Sequence, residues 1–179
     1  MNPQPHEAAL LDSVVRWIAA DLAAAGTGAR AELRRLRPGD PGGPAFWRVV
    51  VTRLEPDYLP GAGPARDDAL RRWAVILRAM AELEGLHKPL RRLGAALART
   101  EVSELRMNQL LRTSGDPLFN EVRAVTHQLA TARATAAVDL TGIARLVLSD
   151  GQPSGQAVRQ TIANDYYAQV FRAERENKW

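Results

Sequence analysis

The chain has 179 residues, a net charge of +4 and no cysteine, so it is long enough to bury a core unaided and cannot use disulfides, thiolate catalysis or thiolate-bound zinc. Lys88 and Lys178 are the only lysines among 24 basic residues. Arginine's planar fork suits phosphate, but a GC-rich genome would inflate arginine together with the 30 alanines, so position must decide what abundance does not.

Met1–Gln4 holds no basic run leading into an apolar stretch, and no window reaches the length of a membrane span. The cytoplasm is therefore the expected compartment, with no membrane partner. Val14, Ile18 and Leu22, preceded by Leu10 and Leu11, form one helical stripe that Gly26 and Gly28 end. A short basic helix is predicted over Ala29–Leu36. Pro38, Pro41 and Pro44 then interrupt the chain. Phe46, Val49, Val50 and Leu54 make another helical face, and Val49–Val51 is the one run where a strand competes. The Pro- and Gly-rich stretch Glu55–Pro64 reads as a loop, after which Asp67 or Asp68 can cap a helix with the stripe Leu70, Trp73, Leu77 and Met80.

Pro89 suits a first helical position, and Leu90, Leu93 and Leu97 continue a helix from it. Ser103 and Glu104 begin a helix with Leu110 and Leu111. Asp116–Pro117 opens another, with Leu118, Val122, Val125 and Leu129 on its core face. Asp139 is predicted to cap a short helix bearing Leu140, Ile143 and Val147. A last helix with Val158, Ile162, Tyr166 and Val170 runs into the charged end Arg172–Trp179. The expected fold is all-α, with about eight to nine helices in two packed lobes, 1–100 and 101–179.

Catalytic signals are missing. His6, His87 and His127 lie far apart, with no second ligand at metal spacing on the same helix face. Gly26-Thr27-Gly28 and Gly61-Ala62-Gly63 lack the Gly-Lys-Ser/Thr continuation of a phosphate loop. Asp67 and Asp68 sit at a helix start, where capping explains them, and no serine lies in a nucleophile elbow. The expectation is a protein that is not an enzyme and that takes no cofactor and no metal.

What remains is arginine placement. Arg30, Arg34 and Arg37 share one helical face, as do Arg71 with Arg78 and Arg92 with Arg99. Each row alone describes a solvated helix face. Several together describe a phosphate-tracking surface. Aromatics are few, so backbone contact is expected to dominate over base stacking.

Taken in order, several segments resemble the CasB family, the small subunit of the type I-E CRISPR Cascade complex. They are Leu33-Arg34-Arg35, Pro44-Ala45-Phe46-Trp47-Arg48, Leu93-Gly94-Ala95-Ala96-Leu97, Glu104-Leu105-Arg106 through Leu110-Leu111-Arg112, Phe119–Leu129 with Arg123, Asp139-Leu140 and Asp165-Tyr166-Tyr167. The chain departs from the family at Ala95 and Leu105, where arginine is frequent, and at Ile162, where tryptophan is. The resemblance implies a non-catalytic subunit that contacts guide RNA and the backbones of target and non-target DNA. It also implies neighbouring Cascade subunits and a second copy of itself as partners, and a role in stabilising the R-loop. By motif match Arg34, Arg35, Arg48, Arg106, Arg112 and Arg123 are the candidate nucleic-acid contacts. Arg92, Arg99 and Arg159 join them by facial position. Phe46, Trp47, Tyr166 and Tyr167 read as packing residues. The alternative is a helical adaptor for protein partners, whose arginines only solvate its surface.

Overall fold

The computed structural model describes residues 5–40, 42–55, 57–132 and 136–176. Met1–Gln4, Pro41 and Pro56, invoked above for the N-terminus and two loops, lie outside them, as do residues 177–179 of the charged end. About 71% of the described residues are helical. Among the described residues there are nine α-helices and one π-helical segment, and the sole β feature is an isolated parallel bridge between His87 and Val138. Two compact units divide after Gly85. The division near residue 100 is thus displaced: Leu93–Arg99, assigned from sequence to the first lobe, packs with the C-terminal helices.

The N-terminal unit holds α1 (Pro5–Ala24), α2 (Thr27–Arg34), α3 (Pro44–Val49) and α4 (Pro64–Glu82). Val14, Ile18 and Leu22 are buried on α1, and Trp73, Leu77 and Met80 on α4, as their spacing predicts. Burial of each such side chain contributes about 1.5–3 kcal/mol. Helix α4 starts earlier than an Asp67 or Asp68 cap requires. Gly63, at φ 80°, turns the chain into Pro64 at the first helical position, leaving Asp67 inside the first turn. The strand option at Val49–Val51 is overturned. Helix α3 runs directly into a π-helical segment, Val50–Leu54, in which the Glu55 N–H donates to the Val50 carbonyl at 3.0 Å. Val50 and Leu54 are both fully buried, four residues apart on the helical face that their spacing predicts.

The C-terminal unit holds α5 (Leu93–Arg99), α6 (Glu104–Arg112), α7 (Asp116–Thr131), α8 (Thr141–Leu148) and α9 (Gly155–Glu176). Leu97, Leu110, Leu118, Leu129 and Val147 are fully buried among them, and Ile162 and Tyr166 nearly so. Ser103 caps α6 by accepting from the Arg106 N–H. The helix expected from Pro89 begins only at Leu93. Lys88 and Val138 share a backbone bond at 3.0 Å, and Asp139 Oδ2 accepts from the Leu90 N–H at 3.3 Å. These bonds hold Leu90 at φ 67° and 90% exposed, so it is no part of the core stripe.

The buried Tyr166 hydroxyl donates to the Val102 carbonyl at 2.5 Å, and burial, foremost, pushes its pKa above the ordinary tyrosine value. Tyr166→Phe is expected to cost about 1 kcal/mol in urea unfolding. Because the folded pKa is the higher one, the hydroxyl's contribution is complete below the unfolded pKa. It is lost as pH rises through the folded pKa, so wild type and variant should converge in strong alkali.

Candidate nucleic-acid interface

In the N-terminal unit the arginine row of α2 is divided between structural and open positions. The Arg34 Nε donates to the Ala81 carbonyl at 2.9 Å, in the last turn of α4, where carbonyls have no helical partner. Arg30 pairs with Glu84 at 3.0 Å, each side chain only about a fifth exposed. Arg78 of α4 reciprocates by donating to the Leu36 carbonyl at 3.1 Å. This side of α2 is a seam against α4 rather than a solvated groove. Arg35 and Arg37 stand clear of it, exposed and without a side-chain partner among the described residues.

Helix α3 is positioned by Glu32, whose Oε1 accepts from the Ala45 and Phe46 N–H groups at 2.9 and 3.3 Å. A carboxylate at a helix N-terminus is favoured by the dipole and by the free N–H groups there. The side chain of Arg48 on that helix is exposed, has no partner among the described residues, and borders a groove of about 560 Å³. Arg53, on the same groove, is already neutralised: its Nε and Nη2 bond both oxygens of Asp21 at 2.6 and 2.9 Å. Phe46 is buried, and Trp47, two-fifths exposed, meets it edge to face at 5.6 Å, so the packing role expected of the pair fits Phe46 better than Trp47.

In the C-terminal unit Arg112, at the end of α6, and Arg123, on α7, are exposed with no side-chain partner among the described residues. Arg106 lies 3.7 Å from Glu121 and is two-fifths exposed. Arg92 bonds Asp165 at 3.0 Å yet remains 70% exposed. Arg99 is half-buried, and burial first, then the neighbouring Arg91, lowers its pKa from the ordinary arginine value. The turn before α5 adds Lys88 and Arg91, both exposed, which no helical periodicity marks.

Arg159 is the clear departure. Its Nη1 donates to the Leu110 and Leu111 carbonyls at 3.3 and 2.9 Å, and its Nη2 to Asp150 Oδ1 at 2.6 Å and Ser114 Oγ at 3.4 Å. With both partners of the ion pair nearly buried, the guanidinium closes the C-terminal end of α6 instead of facing a ligand.

Among the described residues no group of three His, Asp or Glu side chains can hold a metal ion. His87 Nδ1 accepts from the Leu140 N–H at 3.2 Å, a structural role. No described helix is long and apolar enough to cross a membrane.

Residues 29–167, which include every candidate arginine above, match the family model for CRISPR-associated protein Cse2. The chain belongs to the Cse2 family. Cse2, also called CasB, is a structural subunit of the type I-E CRISPR Cascade complex, and this chain is accordingly a Cascade subunit. No curated protein and no solved structure gives a significant match to it.

Proposed function

We propose that this Cse2 chain is the small, non-catalytic subunit that holds nucleic-acid backbone without sequence preference. In antiviral defence it stabilises the R-loop of guide RNA and target, and the displaced DNA strand. The observation that carries this reading is selective freedom. Arg30, Arg34, Arg53, Arg78 and Arg159 are engaged within the protein, whereas Arg35, Arg37 and Arg48 in one unit and Arg112 and Arg123 in the other are exposed without partners among the described residues. An unpaired guanidinium gives up only water when it takes a phosphate, so these positions supply charge-assisted contacts at little cost. Strand exchange in an RNA-guided complex is nearly balanced, and a few such contacts on each of two copies can tip it towards the open state.

The isolated protein should bind single strands weakly and without sequence preference. Its log-log salt slope should be roughly −3.5 if five phosphates are neutralised at about −0.7 each. Replacing Arg35 and Arg48 with Ala, or Arg112 and Arg123, should make that slope shallower by roughly 1.4 while circular dichroism stays unchanged. In assembled Cascade the same pairs should shorten R-loop lifetime more than they reduce guide-RNA retention. A salt slope and R-loop lifetime that neither pair moves would leave these arginines as solvated surface and favour the protein adaptor.

A further inference from the structure

The exposed end of α9 carries an aromatic arrangement that neither the core nor the arginine contacts use. Tyr166 is buried and anchored by its bond to the Val102 carbonyl. The Tyr167 ring meets it edge to face, at 5.2 Å and 90°. Phe171, one turn on, stacks on Tyr167 at 5.9 Å with only 28° between the planes. Phe171 is nevertheless 54% exposed. Another turn along the same row, the Arg175 Nε donates to the Phe171 carbonyl at 3.3 Å, so that cation is engaged with the backbone. A rigid chain of contacts thus runs from the core to an open ring face, with Phe171 lying beyond the span that matches the family model.

We infer that the Tyr167–Phe171 face of α9 is a stacking ledge for an unpaired nucleobase of single-stranded nucleic acid; this rests on the backbone-binding reading above. The occupant follows from shape and charge. The ledge offers a π-face backed by Tyr167, and every nucleobase presents a complementary flat face whatever its identity. A duplex keeps those faces stacked inside and has none to offer. The cations Arg172 and Arg175 are offset by Glu174 and Glu176, so the ledge is not a phosphate site. Its contribution should add to that of the free arginines without changing the number of phosphates neutralised.

The test uses the full chain with a thymidine oligonucleotide carrying one 2-aminopurine, and a duplex of equal length. Wild type should quench 2-aminopurine fluorescence on binding. Phe171→Ala should raise the single-strand Kd about tenfold, leaving the duplex Kd and the salt slope as they were. Phe171→Leu keeps apolar bulk without a π-face and should behave like Phe171→Ala, whereas Phe171→Tyr should restore both quenching and affinity. Because Phe171 is half in solvent, the Leu and Tyr variants should keep the wild-type melting temperature. If wild type binds strands without quenching, or Phe171→Leu keeps its preference for single strands, the ledge is refuted while the arginine reading stands. If Phe171→Leu leaves strand binding intact but lowers incorporation into Cascade, the face is a protein contact and the inference is overturned. If wild type binds no nucleic acid at all, both readings fall.

Discussion

Replacing Arg159 with Ala is expected to destabilise the C-terminal unit by about 3–5 kcal/mol, the loss found when one partner is removed from a buried ion pair. Asp150 is only 4% exposed, and its other oxygen accepts from the Gly115 N–H at 2.7 Å, so the carboxylate cannot swing out to water without giving up that bond. The same substitution removes the donor that covers the Leu110 and Leu111 carbonyls, and the last turn of α6 should fray. Arg159→Lys should recover only part of the loss, since one ammonium does not reproduce a fork that spans two carbonyls and a carboxylate. Urea unfolding followed by circular dichroism measures the difference. A variant that unfolds like wild type but binds single strands more weakly would instead make Arg159 a nucleic-acid contact.

The contrast between Arg159 and Arg112 explains how much of the candidate site could be read from sequence. Both lie on amphipathic helices, and helical spacing places each on a polar side. Whether a guanidinium there meets solvent or a helix end depends on an element that can be far away in the chain. Arg159 closes α6 across 48 residues, and Arg34 closes α4 across 47. Periodicity holds no record of such pairings, so it marks charged positions without saying which are spent. Apolar stripes suffer less from this. Val14, Ile18 and Leu22, or Leu118, Val122, Val125 and Leu129, must be buried by something, and the identity of the partner does not alter the prediction.

Leu90 shows the opposite failure, in which a local pattern fits a helix that tertiary bonds forbid. Pro89 and the spacing of Leu90, Leu93 and Leu97 satisfy the helix rule, but the segment from Leu86 to Arg91 spends its backbone groups on Val138 and Asp139. The same long-range pairing fixes the boundary between the units. No change in composition occurs near Gly85, and the stripe on α5 could have packed with either half. Its assignment is made by how closely α5 approaches α9, which is determined at a single residue, Gly94.

Gly94→Ala is expected to cost about 3 kcal/mol, at the upper end for overpacking a well-filled core. A Cβ at this position would lie 2.1 Å from the Ile162 carbonyl oxygen, 2.8 Å from the Tyr166 nitrogen and 3.0 Å from the Asp165 Cβ. Two of these are backbone atoms, so no rotamer change relieves the contact and α5 must move away from α9. Gly94 sits in a helix with ordinary backbone angles, so its role is close approach rather than conformational freedom. This accounts physically for the glycine in the Leu-Gly-x-Ala-Leu element. The sign of the effect makes the test sharp, because in an uncrowded helix the same substitution stabilises by about 1 kcal/mol. Gly142→Ala should be milder: its Cβ would lie 2.8 Å from the Leu93 Cβ, a side-chain atom at the α5 N-terminus that moves with one turn of helix. Gly28→Ala, in α2 with nothing within 4 Å, should gain about 0.5–1 kcal/mol. Thermal melts of the three variants should therefore fall in the order Gly94→Ala, Gly142→Ala, wild type, Gly28→Ala. A Gly94→Ala protein that melts above wild type would mean that α5 and α9 do not meet at this distance, and the packing assigned to the C-terminal unit would have to be withdrawn.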